Sequence, residues 1–219
     1  MPSVADEALV LKTVESGEAD FIVHLLTRDR GRRSVFARNA RKSFRRFSGA
    51  LQPFAHVRII VNLRRTQRLD GLSSAELIEP YLNLRQDLRR LALAGYYCEL
   101  LDALLAEGET YPEVFELALF FLGRINQGEP SIKHRLFFEL RLLDALGHRP
   151  DCLRCGEEGD ELSGAAWFDP GRLGFLSDPS ARFAGGAFQV SGPARIAMEQ
   201  AMSLSLGELA ALKLRRSEA

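Results

Sequence analysis

The chain has 219 residues, 46% hydrophobic and 26% charged, and its 29 basic and 29 acidic side chains cancel to a formal charge of zero. This is the profile of a globular protein with room for one large or two small domains, and it excludes a disordered or fibrous chain. The longest apolar run, Leu117 to Gly123, is too short to span a bilayer, the acidic Asp6 and Glu7 leave no basic start for a signal peptide, and three cysteines are the wrong number for a disulfide framework. A reducing cytoplasm is the expected compartment.

In chain order, the first 80 residues read as strands: ALVLKTV (8–14), FIVHLLT (21–27), RRSVFAR (32–38), FAHVRIIVNLR (54–64) and SSAELIE (73–79). They are rich in Val, Ile, Phe and Thr and are separated by Gly, Asp and Ser. Five such strands with hairpin-like links predict a small closed barrel, and an SH3-like barrel fits the count nearly as well.

After Pro80 the period becomes helical. Leu88, Leu91, Ala92, Gly95, Cys98, Leu101 and Leu105 recur at three- and four-residue steps, while Leu93, Tyr97, Leu100 and Leu104 line the opposite side. This helix is expected to be enclosed on two sides. YPEVFELALFFLGRINQG (111–128) is apolar almost all round with Pro112 near its start, as in the middle of a bundle. SIKHRLFFELRLLDALG (131–147) puts Ile132, Leu136, Leu140 and Leu143 on one stripe, with Ser131 as N-cap and Gly147 as stop. A segment rich in Gly, Pro, Ser and Asp follows, with AAWFD (165–169) and LGFLS (173–177) as a hairpin, and a last helical region runs from Pro193 to Arg216. The expected divisions are a barrel (1–80), a helical domain (81–147), a small lobe (148–192) and a C-terminal helical segment (193–219).

The neutral total hides an asymmetry. Residues 1–80 hold 14 basic against 9 acidic side chains, residues 81–219 hold 15 against 20, and Arg30 to Leu69 contains 12 cations and no acid. The stretch RNARKSFRRF (38–47) concentrates Arg38, Arg41, Lys42, Arg45 and Arg46 beside Phe36, Phe44 and Phe47. Arg32 and Arg33 precede it, and Arg64, Arg65 and Arg68 follow the fourth strand. Cations next to aromatic rings are what a single-stranded polyanion requires, phosphates for the one and base faces for the other. A solvated loop whose phenylalanines merely plug the barrel is the competing explanation.

The order of residues in VLKTVESGEADFIVHLLTRDRGRRSVFARNARKSFRRFSGALQPF resembles the N-terminal domain of the RecO recombination mediators of bacteria. The likeness continues in YYCELLDALLAEGE and FFELRLLDALGHRPDCLRCG, and so covers most of the chain. It implies an α+β protein: an oligonucleotide-binding (OB) barrel followed by a helical domain with a zinc-ribbon-like insertion. It also implies binding of single- and double-stranded DNA, annealing of complementary strands and partnership with RecR. Docking of the acidic, apolar tail of single-stranded DNA-binding protein and help in loading a recombinase, in a nucleoid-associated setting, complete the implication. Asn39 stands where the family often has glycine, and since asparagine tolerates left-handed backbone the turn is expected to survive.

CLRCG gives Cys152 and Cys155 the spacing of a zinc knuckle, and the family pattern carries a second such pair after a hairpin. Here that place reads LSDPS, with Ser177 and Ser180, and serine hydroxyls are poor zinc ligands. Cys98 belongs to a buried helix, and no spacing obliges His148 and Asp178 to substitute, so the lobe is expected to hold no metal and to keep its shape through Trp167, Phe168 and Phe175. The phosphate-binding G-x-x-x-x-G-K-[ST], H-E-x-x-H and G-x-S-x-G are absent, and His24, His56, His134, Glu99, Asp102 and Asp144 read as structural. Arg124, Lys133, Arg135 and Arg141 are the helical-domain cations nearest strong apolar stripes, and with the resemblance they become candidates for docking an acidic peptide. The resulting expectation is a non-enzymatic DNA-binding mediator of recombinational repair, with an RNA-binding or translation-associated barrel protein as the alternative.

Overall fold

The computed structural model describes residues 2–63, 69–177 and 186–211. The fold is α+β, and the chain divides into two compact units, residues 1–131 and 132–219.

In the first unit, strands β1 (Ser3–Ser16), β2 (Asp20–Thr27), β3 (Gly31–Ala37), β4 (His56–Asn62) and β5 (Asp70–Glu79) close a barrel in the order β1-β2-β3-β5-β4. The neighbours are antiparallel except β3 and β5, which meet in parallel at Val35 with Asp70 and Phe36 with Gly71. The five expected strands are therefore all present. Alternate residues face inward, and Val10, Val23, Leu25, Val35, Val57, Ile59, Val61 and Leu72 fill the core. Along β1 the run Ala8–Leu11 is buried at every position. A strand covered on both faces loses polar alternation, which is why this segment reads as continuous apolar sequence.

The covering layer includes helix α2 (Leu88–Leu104), which packs on β1 and β2, and helix α3 (Pro112–Gln127), which packs on α2. The α2 helix starts at Asp87, whose carboxylate accepts the N–H of Arg90 at 3.0 Å. It is not enclosed on two sides as the periodicity suggests. Ala94, Tyr97, Cys98 and Leu101 are buried on one face, whereas Leu88, Leu91 and Leu104 are exposed. Polar ties complete this junction: His24 Nδ1 lies 3.0 Å from Asp102 on α2, and Arg28 bridges Glu7 on β1 and Glu116 on α3. The expected boundary near residue 80 thus falls inside the first unit.

Since β5 pairs with β3 at only two positions, the rest of that β3 edge needs other partners. The loop after α2 supplies them: Gly108 N–H donates to Arg32 O at 3.0 Å, and Ser34 N–H to Glu107 Oε1 at 3.2 Å. Gly31 makes this approach possible. A Cβ there would stand 1.5 Å from the carbonyl oxygen of Glu109.

The second unit begins with α4 (Ile132–Ala145), followed by strands β6 (Ala166–Asp169), β7 (Gly174–Leu176) and β8 (Phe188–Val190) in a sheet ordered β7-β6-β8. Helices α5 (Gly192–Ser203) and α6 (Leu206–Ala211) close it. The expected hairpin is present with a third strand that the sequence did not announce, and the expected final helical region is helical with an interruption at Leu204 and Ser205. The remainder of that expectation, 212–216, lies outside the described residues. The stripe expected on α4 is also corrected: Ile132 is 72% exposed and Leu136 is 42% exposed, while Phe137, Phe138, Leu140 and Leu142 are buried. Gly147 at φ +79 does end the helix, with its N–H donated to Asp144 O at 3.0 Å. Among the described residues no helix is long and apolar enough to cross a membrane.

Candidate nucleic-acid interface

The basic stretch joins β3 to β4. Its chain turns at Asn39, which adopts φ 54 and ψ 30 and donates its N–H to Asp20 Oδ1 at 2.6 Å, so the left-handed turn survives without glycine. A 3-10 turn, Ala40–Lys42, packs on β2, and a one-turn helix, α1 (Phe44–Phe47), packs on β5. Phe47 is 3% exposed and belongs to the barrel core, but Phe44 is 81% exposed. The expectation that phenylalanines here plug the barrel holds for one of the pair and fails for the other.

The seven predicted cations separate by what they touch. Arg32 donates through Nε to Leu105 O at 2.8 Å and through Nη1 to Asp102 at 3.2 Å, so it fastens β3 to the end of α2. Arg33 reaches Asp70 at 3.0 Å, across the short parallel seam of the barrel. Arg46 braces the loop from within, donating to Ser43 Oγ at 2.8 Å and to the carbonyl of Arg38, with its guanidinium 4.8 Å from the Phe47 ring centroid. Arg41 meets Glu15 at 3.3 Å in an exposed pair, a contact of small net strength that a phosphate can displace. Arg38, Lys42 and Arg45 are exposed and make no ion pair among the described residues. Arg64, Arg65 and Arg68 lie outside the described residues.

The four cations considered for peptide docking do not form one set. Arg124 is exposed on α3 in the first unit, and the other three are on α4 in the second. Arg135 pairs with Glu139 at 2.8 Å, and Arg141 donates to Met202 O and to Leu204 O, the latter at 3.2 Å, which caps the end of α5.

In the lobe, Cys152 and Cys155 are both buried. Burial pushes the Cys152 thiol up to about 11, so it stays protonated near neutral pH. Cys155 is held below the usual thiol range, chiefly by a hydrogen bond from the backbone of Glu158, with the backbones of Glu157 and Ser177 and the Ser177 hydroxyl adding to it. The Ser177 hydroxyl thus lies beside Cys155. Asp178 and Ser180 lie outside the described residues, and among the described ones no three His, Cys, Asp or Glu side chains gather as metal ligands. Among the described residues, two cysteines and a hydroxyl fall short of the four ligands of a structural zinc site. Cys98 is buried in α2 with its thiol pushed up to about 12, as an inert core residue should be.

One cation of the lobe escaped the sequence reading. Arg195, near the start of α5, is 2% exposed. Its guanidinium donates to the carbonyls of Cys152, Leu162 and Gly164, the last two at 3.0 and 2.7 Å. The available signal was its place three and seven residues before Met198 and Met202, on the inward stripe of an amphipathic helix.

The comparisons with known proteins agree on one family. The family model described as Recombination protein O N terminal matches residues 1–81, and that described as Recombination protein O C terminal matches residues 85–219. The chain is 42% identical over 170 residues to the DNA repair protein RecO of Pelobacter propionicus, covering 76% of this chain and 68% of that one. It is 39% identical over 176 residues to the DNA repair protein RecO of Geobacter metallireducens, covering 80% and 71%. With the protein of the same name from an Anaeromyxobacter species it shares 40% over 179 residues, covering 80% and 70%.

Proposed function

The chain belongs to the RecO family of DNA repair proteins, and from that premise we propose that its barrel binds single- and double-stranded DNA through Arg38, Arg41, Lys42 and Arg45. The closed five-stranded order is read as an OB-type barrel, with the β3–β4 connection as its DNA-facing loop. The observation that carries this reading is the loop's division of labour. Arg46, Asn39 and Ser48 hold its backbone, leaving Arg38, Lys42 and Arg45 exposed without carboxylate partners among the described residues, in a chain of zero formal charge. Arg32 and Arg33 act one step back, by fixing the strand from which the loop departs.

Annealing follows from the same electrostatics. A cationic surface lowers the repulsion between two phosphate backbones, so complementary bases meet more often. No catalytic role is assigned to any residue. In this reading the protein works in the nucleoid of the cytoplasm with RecR, accepts the acidic tail of single-stranded DNA-binding protein, and assists the loading of a recombinase. The lobe after His148 is read as a degenerate zinc ribbon without its metal, so elemental measurement of the purified protein is expected to return far less than one zinc per chain. A stoichiometric zinc would show that ligands outside the described residues complete the site.

Four phosphate contacts predict a log–log salt dependence of single-strand affinity with a slope on the order of −3. The variant Arg38→Ala/Lys42→Ala/Arg45→Ala is expected to flatten that slope by about 2 and to weaken binding on the order of a hundredfold at 0.1 M salt. Its fold is expected to persist, because all three side chains are exposed. Unchanged affinity in the triple variant would refute the loop as the interface, and stronger binding of a matched RNA strand would favour the RNA reading.

A further inference from the structure

Phe44 is the feature of this loop that charge does not explain. Its ring is 81% exposed while Phe47, one turn later, is 3% exposed in the barrel core. A scattered exposed apolar residue is ordinary, but this one is held in place. The Phe44 carbonyl accepts both the N–H of Ser48 at 2.7 Å and the hydroxyl of Ser48 at 2.9 Å. Ser43, the residue before it, is fixed through its hydroxyl by Arg46 Nε at 2.8 Å, and Ser48 itself closes the turn in the left-handed region at φ 39. The backbone on both sides of the ring is therefore set before any ligand arrives, which reduces the ordering cost of binding.

The sequence neighbours Lys42 and Arg45 are exposed cations without ion-pair partners among the described residues. An exposed ring on an anchored turn, with a cation on either side in the sequence, suits a ligand that offers an apolar, flat face close to negative charge. An unpaired nucleotide has that composition, and every base provides such a face irrespective of sequence. A base inside a duplex does not, because both of its faces are already stacked.

We propose that Phe44 is a base-stacking residue that gives the barrel a preference for single-stranded nucleic acid, with Lys42 and Arg45 holding the adjoining phosphates. This rests on the loop being the nucleic-acid interface, and the two ideas separate experimentally. The test compares an oligothymidine with an abasic strand of equal length, which has the same phosphates and no bases, by fluorescence anisotropy with the full chain. Wild type is expected to bind the base-carrying strand at least about fivefold more tightly. Phe44→Ala is expected to erase that difference while leaving the affinity for the abasic strand and the salt slope as they were. Phe44→Trp is expected to keep the preference, with its emission quenched by the base-carrying strand alone in a Trp167→Phe background. Equal binding of the two strands by wild type, or a Phe44→Ala variant that weakens both alike or neither, overturns the stacking role while leaving the phosphate contacts standing. Wild type that binds neither strand overturns both.

Discussion

Replacing Arg195 with alanine is expected to destabilise the lobe of the second unit by about 3–5 kcal/mol, because three buried carbonyls lose their charged donor together. Its guanidinium gathers the carbonyls of Cys152, Leu162 and Gly164, so it joins the knuckle, the segment before β6 and the start of α5. Its carbon centre also lies 5.9 Å from the centroid of Phe175, the most buried ring of the small sheet. Alanine would leave three carbonyls facing a cavity, and an unmade buried hydrogen bond costs about 1–3 kcal/mol by itself. In a ribbon with four thiolates a metal ion would cross-link the same turns. The Arg195 guanidinium draws the backbone dipoles of these turns together. Trp167 on β6 is the only tryptophan of the chain, so urea unfolding followed by its fluorescence reads this lobe directly. Arg195→Lys is expected to recover little, since an ammonium on a flexible stem cannot match a planar fork across three acceptors. A midpoint within error of wild type for Arg195→Ala would show that the hairpin core alone holds the lobe.

The contrast between Arg195 and the cations of the loop shows what the sequence made legible. Strand positions were readable because barrel strands alternate or, as in Ala8–Leu11, run continuously apolar between turn residues. The phase of the helices was not. On α4, Ile132 and Leu136 offer one apolar stripe and Phe137 and Phe138 another, and only packing decides which turns inward. The same ambiguity misplaced Leu88 and Leu91 on α2. At the candidate site the cluster of cations was visible as composition, but its division into braces and exposed charges was not. The partner of Arg32 is Asp102, 70 residues away, and that of Arg33 is Asp70, 37 residues away. Such pairings arise from tertiary contact and leave no local trace. Phe44 and Phe47 are likewise the same residue type, distinguished only by which end of a single turn enters the barrel.

Gly31→Ala is expected to cost on the order of 3 kcal/mol or more, a loss at the upper end of single-residue effects. Two penalties combine there. Gly31 sits at φ +67, where a side chain costs about 1–2 kcal/mol in any surroundings. In addition, its Cβ would meet Glu109 O at 1.5 Å and the Glu109 carbonyl carbon at 2.5 Å, both rigid backbone atoms. The loop after α2 would have to withdraw, breaking the bonds from Gly108 to Arg32 and from Arg32 to Leu105 that cover the β3 edge. Gly17→Ala provides the internal control. It shares φ +67, yet a Cβ there would find nothing within 4 Å, so it carries the backbone penalty alone. Thermal or urea unfolding of the two variants therefore isolates the close approach as their difference. Hydrogen exchange should locate that difference in the amides of residues 31–36, which are expected to lose protection in Gly31→Ala and keep it in Gly17→Ala. Equal losses of stability in the two variants would mean that the loop yields freely and that β3 does not depend on it. A larger loss at Gly31 would identify the loop after α2 as the element that completes the barrel where β5 falls short, and so as the support beneath the strand that carries the basic loop.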